Sequence, residues 1–326
     1  GVDFSMMKSV RSQLLILIFA AVLPALGIII YSNYERQRHD VETTKADALI
    51  MVQGIGHDHE NDMEATRRFL MTLARLPVVQ RRDAAACNKL FGELLRDNPQ
   101  FSTIYAADRD GRMYANALPL GDISIQHRNY FQEALRTKSF SAGKYSIGEI
   151  TGRAVQPFAY PVMDSSGQVT GVVAVGLDLE KYGRSFTKIT QFPKGSTLNL
   201  LDRNYTRLYR YPDNEKYMGK TELPEIIKQL SKGPREGVFS TVGVDGVRRL
   251  FAYKLFFLKD RSSPYLYIRI GIPEEQALAS AKKSFLRSMA LVAISLLVAV
   301  LLAWLLGHIL IARKLDRLVD ASMKVG

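Results

Sequence analysis

The sequence is poor in the residues that fixed-site chemistry most often needs. It has one cysteine, Cys87, so no disulfide can form within the chain. Neither that cysteine nor the five histidines fall at the spacing of a zinc site, and no Gly-x-Ser-x-Gly nucleophile turn occurs. MGKTE at Met218–Glu222 contains the Gly-Lys-Thr of a phosphate loop. Such a loop also needs a glycine five positions before Gly219, where Asn214 stands. Nucleotide, metal and serine-hydrolase chemistry are therefore left without support. Charge is missing too, from two long runs, Ser12–Tyr34 and Ser288–Ala312. A spanning helix takes about 20 apolar residues, and each run is long enough. The first has an apolar core longer than a signal-peptide h-region, which favours an uncleaved anchor, and Pro24 predicts a kink that a membrane helix tolerates.

What lies between the runs is large and basic. The chain has 326 residues and a formal charge of +12, and residues 35–287 hold 38 Lys and Arg against 29 Asp and Glu. Basic residues flank both runs on both sides, so charge alone does not orient the chain. Long loops translocate largely regardless of charge, which lets the middle segment lie outside the cytoplasm. Nucleic acid is then a poor explanation of the charge. Attraction to anions or anionic lipid remains open, and a solvated basic surface accounts for it equally well. A segment this long can bury its own core without disulfides.

After the first run, Val41, Ala48, Val52, Ile55, Met63, Phe69, Leu73 and Leu76 keep one helical face. They predict a helix over 33–76, roughly 66 Å long at 1.5 Å per residue, weakened by Gly54 and Gly56 and ended by Pro77. His57 and His59 are two apart on it, cannot share an ion, and read as a solvated polar face. Beyond the helix, strands alternate with turns. FSTIYAA–DRDG–RMYANA, FAYPVM–DSSG–QVTGVVAVGLDL, STLNLL–DRNY–TRLYRY and GVFSTV–GVDG–RRLFAYKLF read as hairpins, followed by PYLYIRIGI. Helices are expected over 84–96, 130–137 and 222–230.

The pattern repeats. From Asp108 to Gly152, Tyr160 and Gly176 the offsets are 44, 52 and 68 residues; from Asp202 to Gly246, Tyr253 and Gly271 they are 44, 51 and 69. Two related modules in tandem follow, each an antiparallel sheet with helices on one side and with Tyr160 and Tyr253 as equivalents.

These residues carry a family resemblance. HRNYFQEAL (His127–Leu135), GKYSIGEITGRAVQPFAYPVMDSSGQVTGVVAVGLDL (Gly143–Leu179) and YPDNEKYMGK (Tyr211–Lys220), between two spans and after a long helix, resemble the double Cache (PAS-like) sensor region of bacterial transmembrane receptors. The tail IARKLDRLVDASMKVG resembles the opening helix of a HAMP relay, with Lys314 where proline is common. The resemblance implies an α+β fold: a long N-terminal helix and two tandem PAS-like Cache modules with antiparallel sheets, flanked by two transmembrane helices. The expected organisation is a cytoplasmic N-terminus (1–11), a span (12–34) and a long helix (35–82). A membrane-distal, ligand-binding module (83–187), a membrane-proximal module (188–273), a linking helix (274–287), a second span (288–312) and a HAMP start (313–326) follow. Gly1–Ser5 precede the candidate starts Met6 and Met7.

The resemblance also implies a site. In such receptors the first module holds small ligands, an arginine with aromatic neighbours takes a carboxylate, and an aspartate at a strand end takes an ammonium. Arg128, Tyr130, Tyr145 and Asp178 fall on those positions, and Tyr105 joins them. Guanidinium and carboxylate pair bidentately, and tyrosine adds a hydroxyl. Tyr130 stands where the amino-acid-binding pattern has tryptophan, and Phe131 where it has a hydrogen-bonding tyrosine, so a plain organic acid is a rival ligand. Arg128 could instead pair internally with Asp122 or Glu133, and Asp178 could cap a turn. His127 reads as a rim or surface residue.

The implied function is ligand sensing by a receptor of the bacterial inner membrane. The ligand is an amino acid or organic carboxylate, the chain a homodimer, and the output a cytoplasmic domain, a histidine kinase by family frequency. No cofactor, metal, nucleic-acid partner or catalytic residue is expected. The alternatives are a membrane-tethered periplasmic enzyme and a ligand-free adhesion or scaffold module.

Overall fold

The structure is a computed structural model that describes residues 4–323 other than 120, 190 and 260, with side chains described between 23 and 305 apart from positions 25, 189, 280, 281, 303 and 304 and those three. In chain order the elements are α1 (Phe4–Ala74), α2 (Pro77–Gln80), α3 (Ala84–Asp97), β1 (Phe101–Asp108), β2 (Met113–Asn116), α4 (Asn129–Thr137), β3 (Ser141–Ala142), β4 (Ser146–Ile147), β5 (Ala154–Met163) and β6 (Val169–Asp178). There follow α5 (Leu179–Ile189), β7 (Thr197–Asp202), β8 (Arg207–Tyr211), α6 (Asn214–Tyr217), α7 (Pro224–Lys232), β9 (Glu236–Val242), β10 (Arg248–Phe256), β11 (Leu266–Pro273), α8 (Glu274–Ala277) and α9 (Ala279–Met323).

The chain divides into two units. One comprises Gly1–Thr43 and Glu275–Gly326. Within it α1 and α9 meet through a hydrogen bond from Arg36 to Ser284. Pro24 is accommodated inside the continuous α1. Among the described residues one stretch, Lys282–Leu302, is long and apolar enough to cross a membrane, with a mean hydropathy of 2.4 and none of it buried. Leu291, Ile294 and Leu297 are exposed on it. The expected first span and HAMP start lie largely outside the residues whose side chains are described.

The other unit, Thr44–Glu274, holds two antiparallel sheets of the same connectivity. The first runs β2-β1-β6-β5-β3, with β4 also on β5; the second runs β8-β7-β11-β10-β9. The apolar stripe of α1 supplies Ala48, Val52, Ile55, Met63, Leu70 and Leu73 to one core that includes one face of each sheet, with Val173, Val175 and Phe158 from the first and Ile268, Ile270 and Ala252 from the second. Each fully buried Leu or Ile contributes about 1.5–3 kcal/mol. Gly56 does not break α1. A β-carbon there would lie 2.9 Å from the Phe256 ring, so glycine lets β10 approach the helix.

His59 departs from its expected place. It is fully buried, with Nδ1 2.6 Å from the Tyr182 hydroxyl and Nε2 2.6 Å from the Tyr265 hydroxyl. It sits four residues after Ile55 and four before Met63, on the stripe that faces the core rather than on a solvated face.

The repeat is visible in the backbone. Thr103 pairs with Gly176 and Thr197 with Gly271. The Asp108 carboxylate accepts from the amides two and four residues on, and the Asp202 carboxylate does the same. One expected equivalence needs correcting. Gly176 pairs with Pro157 and Gly271 with Phe251, so Tyr253 corresponds to Ala159, and Tyr160 to Lys254. The two tyrosines lie on equivalent strands but one residue apart, which turns them to opposite faces.

Candidate functional site

The second face of the first sheet is not part of the shared core. Tyr105, Ala107, Val172 and Ala174 form a separate cluster there with Tyr130, Phe131 and Ala134 of α4. Helix α4 starts where Arg128 turns the chain: its backbone is extended (φ −77°, ψ 131°), its amide donates to Ile125 and its carbonyl accepts from Gln132. The helix therefore buries Tyr130 and Phe131 against the sheet while the Arg128 side chain stays at its N-terminal rim. Ser141 fixes the helix further by donating to the Tyr130 carbonyl at 2.6 Å.

Between this helix, the sheet and the segment after β4 lies a cavity of about 70 Å³, enough for a few waters or part of a small ligand. Its apolar wall includes Met113, Ile123, Ile125, Ile150, Val155 and Pro157. Its polar groups include the hydroxyls of Tyr105, Tyr130 and Ser146, and its charged side chains are Arg128 and Glu149. Tyr105 donates to the Tyr130 oxygen at 2.8 Å, which leaves the Tyr130 proton free to point elsewhere. Burial pushes the Tyr105 hydroxyl well above the usual phenol range, and the neighbouring Tyr130 adds to the shift. Burial likewise raises Tyr130, while the bond from Tyr105 and the Arg128 charge oppose it. Both phenols thus stay neutral donors at any physiological pH. Arg128 makes an ion pair with Glu149, its side chain 31% exposed and that of Glu149 48%.

Of the five expected site residues, the cavity brings together Tyr105, Arg128 and Tyr130. Tyr145 and Asp178 are not on its wall, contrary to expectation. The Tyr145 amide donates to the Asp202 carboxylate in the second module, and its ring lies beside Gly219. Asp178 is buried at the end of β6, where it accepts from the amide of Lys181 in the first turn of α5 and from the Arg153 guanidinium at 2.9 Å. It caps the start of α5 and holds a salt bridge to Arg153. Asp122 and Glu133 are not the partners of Arg128 either, since Glu133 pairs with Arg203. His127 is exposed. The residue that sequence reasoning missed is Glu149. Its signal was present as a lone carboxylate in GEITG, between two turn glycines.

Among the described residues no group of three metal-ligating side chains occurs. The second module treats the same face differently. There Arg207 and Arg269, both buried, flank the carboxylate of Glu222 at 2.5 Å each. Burial lowers the pKa of Arg269 to about 10, against the opposing pull of Glu222.

Comparison with known proteins places this architecture. No curated protein sequence matches the chain. The sensor domain of the Campylobacter jejuni chemoreceptor Tlp3, solved with L-valine, superposes with a TM-score of 0.56 at 14% identity, covering 74% of this chain and 97% of that one. The ligand-binding domain of the Pseudomonas fluorescens chemoreceptor CtaA, solved with L-serine, gives 0.54 at 18% identity, covering 74% and 99%. The sensor domain of the V. cholerae histidine kinase DctB gives 0.51 at 14% identity, covering 73% and 98%. At these identities the likeness establishes the fold. The sequence over residues 36–281 matches the family described as Cache domain, of the double form, and the chain belongs to that family.

Proposed function

We propose that the chain is the sensor region of a bacterial transmembrane receptor that binds a small extracytoplasmic ligand, an amino acid or an organic carboxylate, in the cavity of its first module. The ligand carboxylate would pair with Arg128, and the free Tyr130 proton would bond one of its oxygens. The observation that carries this reading is the cavity itself: a mostly apolar space with one guanidinium and a neutral phenol pair converging on it. Solved neighbours of the same fold hold L-valine and L-serine, which supports the ligand class. The apolar stretch Lys282–Leu302 on α9 supports a membrane location, with residues 44–274 on the periplasmic side of the inner membrane. Strain from the first module would reach the membrane through the second module and α9, within a homodimer. A cytoplasmic output, of histidine-kinase type, would follow.

The test is a thermal-shift screen of amino acids and organic acids, followed by calorimetry on Arg128→Ala. The substitution should abolish binding of the screen's best ligand, with a loss on the order of 2–5 kcal/mol if the charge pair is desolvated. The fold should persist, because the Arg128 side chain sits at the cavity rim, 31% exposed, and its ion-pair partner Glu149 is 48% exposed. Unfolding of Arg128→Ala, with unchanged affinity in the folded fraction, would make Arg128 structural and overturn the assignment.

A further inference from the structure

The segment between β4 and β5 is built as a cover. Its Gly148 amide donates to the Arg153 carbonyl and its Gly152 amide to the Gly148 carbonyl, both at 2.8 Å. Gly152 adopts φ +63°, a conformation that closes this turn and suits glycine. From it Gly148, Glu149, Ile150 and Thr151 face the cavity. The Glu149 carboxylate accepts from Arg128 Nη2, so it occupies the guanidinium that a ligand carboxylate would need. Glu149 also raises, and Arg128 lowers, the pKa of both Tyr105 and Tyr130, which places the ion pair within electrostatic reach of both hydroxyls.

Consider what each ligand charge would do to this pair. Arg128 and Glu149 are the two charged residues on the cavity wall. A simple carboxylate that took Arg128 would leave Glu149 without its partner and close to a second negative charge, a pairing that is unfavourable at short range. A simple amine that took Glu149 would leave Arg128 unpaired. A dipolar ligand inserts between the two, carboxylate to Arg128 and ammonium to Glu149, and leaves every charge paired. The partly enclosed, mostly apolar wall sharpens the difference, because unpaired charges are costlier there than in water.

We propose that Glu149 is a specificity-determining residue of this cavity. It holds Arg128 when no ligand is present and takes the ligand's ammonium when one arrives, so the site rejects simple carboxylates in favour of dipolar ligands. Rejection by an uncompensated charge is the more discriminating half of such recognition. Asp178 is not on this wall; it accepts from Arg153 and from the Lys181 amide. The proposal rests on the reading of the cavity as the ligand site.

The experiment is isothermal titration of the whole chain in nanodiscs with matched probes. These are L-valine, 3-methylbutanoate (the same skeleton without the amine) and 2-methylpropylamine (without the carboxylate), with the L-leucine and L-alanine counterparts alongside. The wild type should bind at least one of these amino acids more than tenfold tighter than its des-amino acid. Glu149→Gln should weaken that amino acid at least tenfold and tighten the des-amino acid several-fold, reversing or erasing the preference. Glu149→Asp should keep the preference, because the charge is retained. An unchanged amino-acid affinity in Glu149→Gln overturns the proposal, and so does equal weakening of both probes, which would mean that Glu149 only holds the cover in place. Arg128→Ala separates the two readings. If it spares binding that Glu149→Gln also spares, the cavity is not the ligand site. If the wild type binds neither probe class, both readings fall.

Discussion

Acid should loosen the junction around His59, and the size of the effect follows from its burial. The imidazole is fully enclosed, with the Tyr182 hydroxyl of α5 on one nitrogen and the Tyr265 hydroxyl ahead of β11 on the other. The Phe256 ring packs edge-on at 4.8 Å. The nearby Lys254 is itself paired with Glu60 at 3.0 Å. Burial first, and the Lys254 charge second, push the pKa of His59 from 6.5 down to about 3. A neutral imidazole has one donor and one acceptor, so one tyrosine donates to it and the other accepts. Protonation would remove the acceptor and bury a charge. The folded state therefore refuses a proton that the unfolded chain takes up below pH 6.5. Stability is undiminished above about pH 7 and falls as pH drops from 6.5 toward 3, by about 1.4 kcal/mol per unit once well below 6.5. Between pH 7 and 5 the loss is about 2 kcal/mol, which in a unit of this size lowers Tm by roughly 4–8 °C. Asp245, whose Arg249 and Arg210 partners hold its pKa below the usual range, and Asp62, whose pKa burial raises, are present in both proteins, so the difference between wild type and a His59 variant reports the histidine. The assay is urea unfolding of residues 36–281 at pH 7, 6 and 5, for wild type and His59→Gln. The variant should be less stable at pH 7, by about 1–3 kcal/mol for the imperfectly replaced hydrogen bonds, yet lose about 2 kcal/mol less than wild type on going to pH 5. Parallel pH dependences in the two proteins would refute the argument, since they would mean that His59 takes up its proton while folded.

Two further outcomes are expected. Glu222→Gln should destabilise the unit by about 3–5 kcal/mol in urea unfolding, because it leaves Arg207 and Arg269 buried without a counter-charge; replacing all three residues by methionine should recover most of that loss. Gly143→Ala should weaken ligand binding in calorimetry and lower stability by about 1–3 kcal/mol, because the new methyl would lie 2.4 Å from Pro157 and 2.9 Å from the Tyr130 ring, behind the cavity wall.

The parts of the fold that local chemistry determines were readable in the sequence. Asp-x-x-Gly marks two of the hairpin turns because the aspartate accepts from amides two and four residues on while Gly111 (φ +83°) and Gly167 (φ +75°) close the turn. Tyr205 performs the same turn in DRNY without glycine, at φ +59°. The helices over 84–97, 129–137 and 224–232 were likewise anticipated to within two residues, whereas α5, β3 and β4 were not marked by any pattern. Long-range pairing was less legible. Arg128 was grouped with Tyr130 and Tyr105 by resemblance rather than by a local pattern, and the three line one cavity. Its carboxylate partner was not found among nearby acids, because Glu149 reaches it only once β5 brings the loop across the sheet. Asp178 looked like a ligand residue at a strand end, and its commitment to Arg153 appears only when β5 and β6 pair. His59 was misjudged for a different reason. Polar identity was weighed above position, although its spacing from Ile55 and Met63 already set it on the buried face.

The two modules share a fold but fill the equivalent face in opposite ways, and this bears on which of them can sense. In each, the residue that follows the isolated bridge donates its amide to the hairpin turn: Ile125 to Gly111, and Glu222 to Tyr205. Ile125 is an apolar wall of the cavity. At the corresponding point in the second module Glu222 sends a carboxylate inward, to Arg207 and to Arg269, which stands where the first module has Ala174. A small residue in one module leaves room at the sheet; a long cation in the other fills it and is tied down by a buried carboxylate. A ligand entering the second face would have to break that buried cluster and leave its charges unpaired, a loss of several kcal/mol before any contact is made. In the first module the ion pair on the cavity wall, Arg128–Glu149, is partly exposed, at 31% and 48%. A dipolar ligand that opens such a pair takes up both charges, so its entry leaves neither uncompensated. The difference in burial between these two sets of ion pairs supports the proposal that the ligand enters the first module rather than the second.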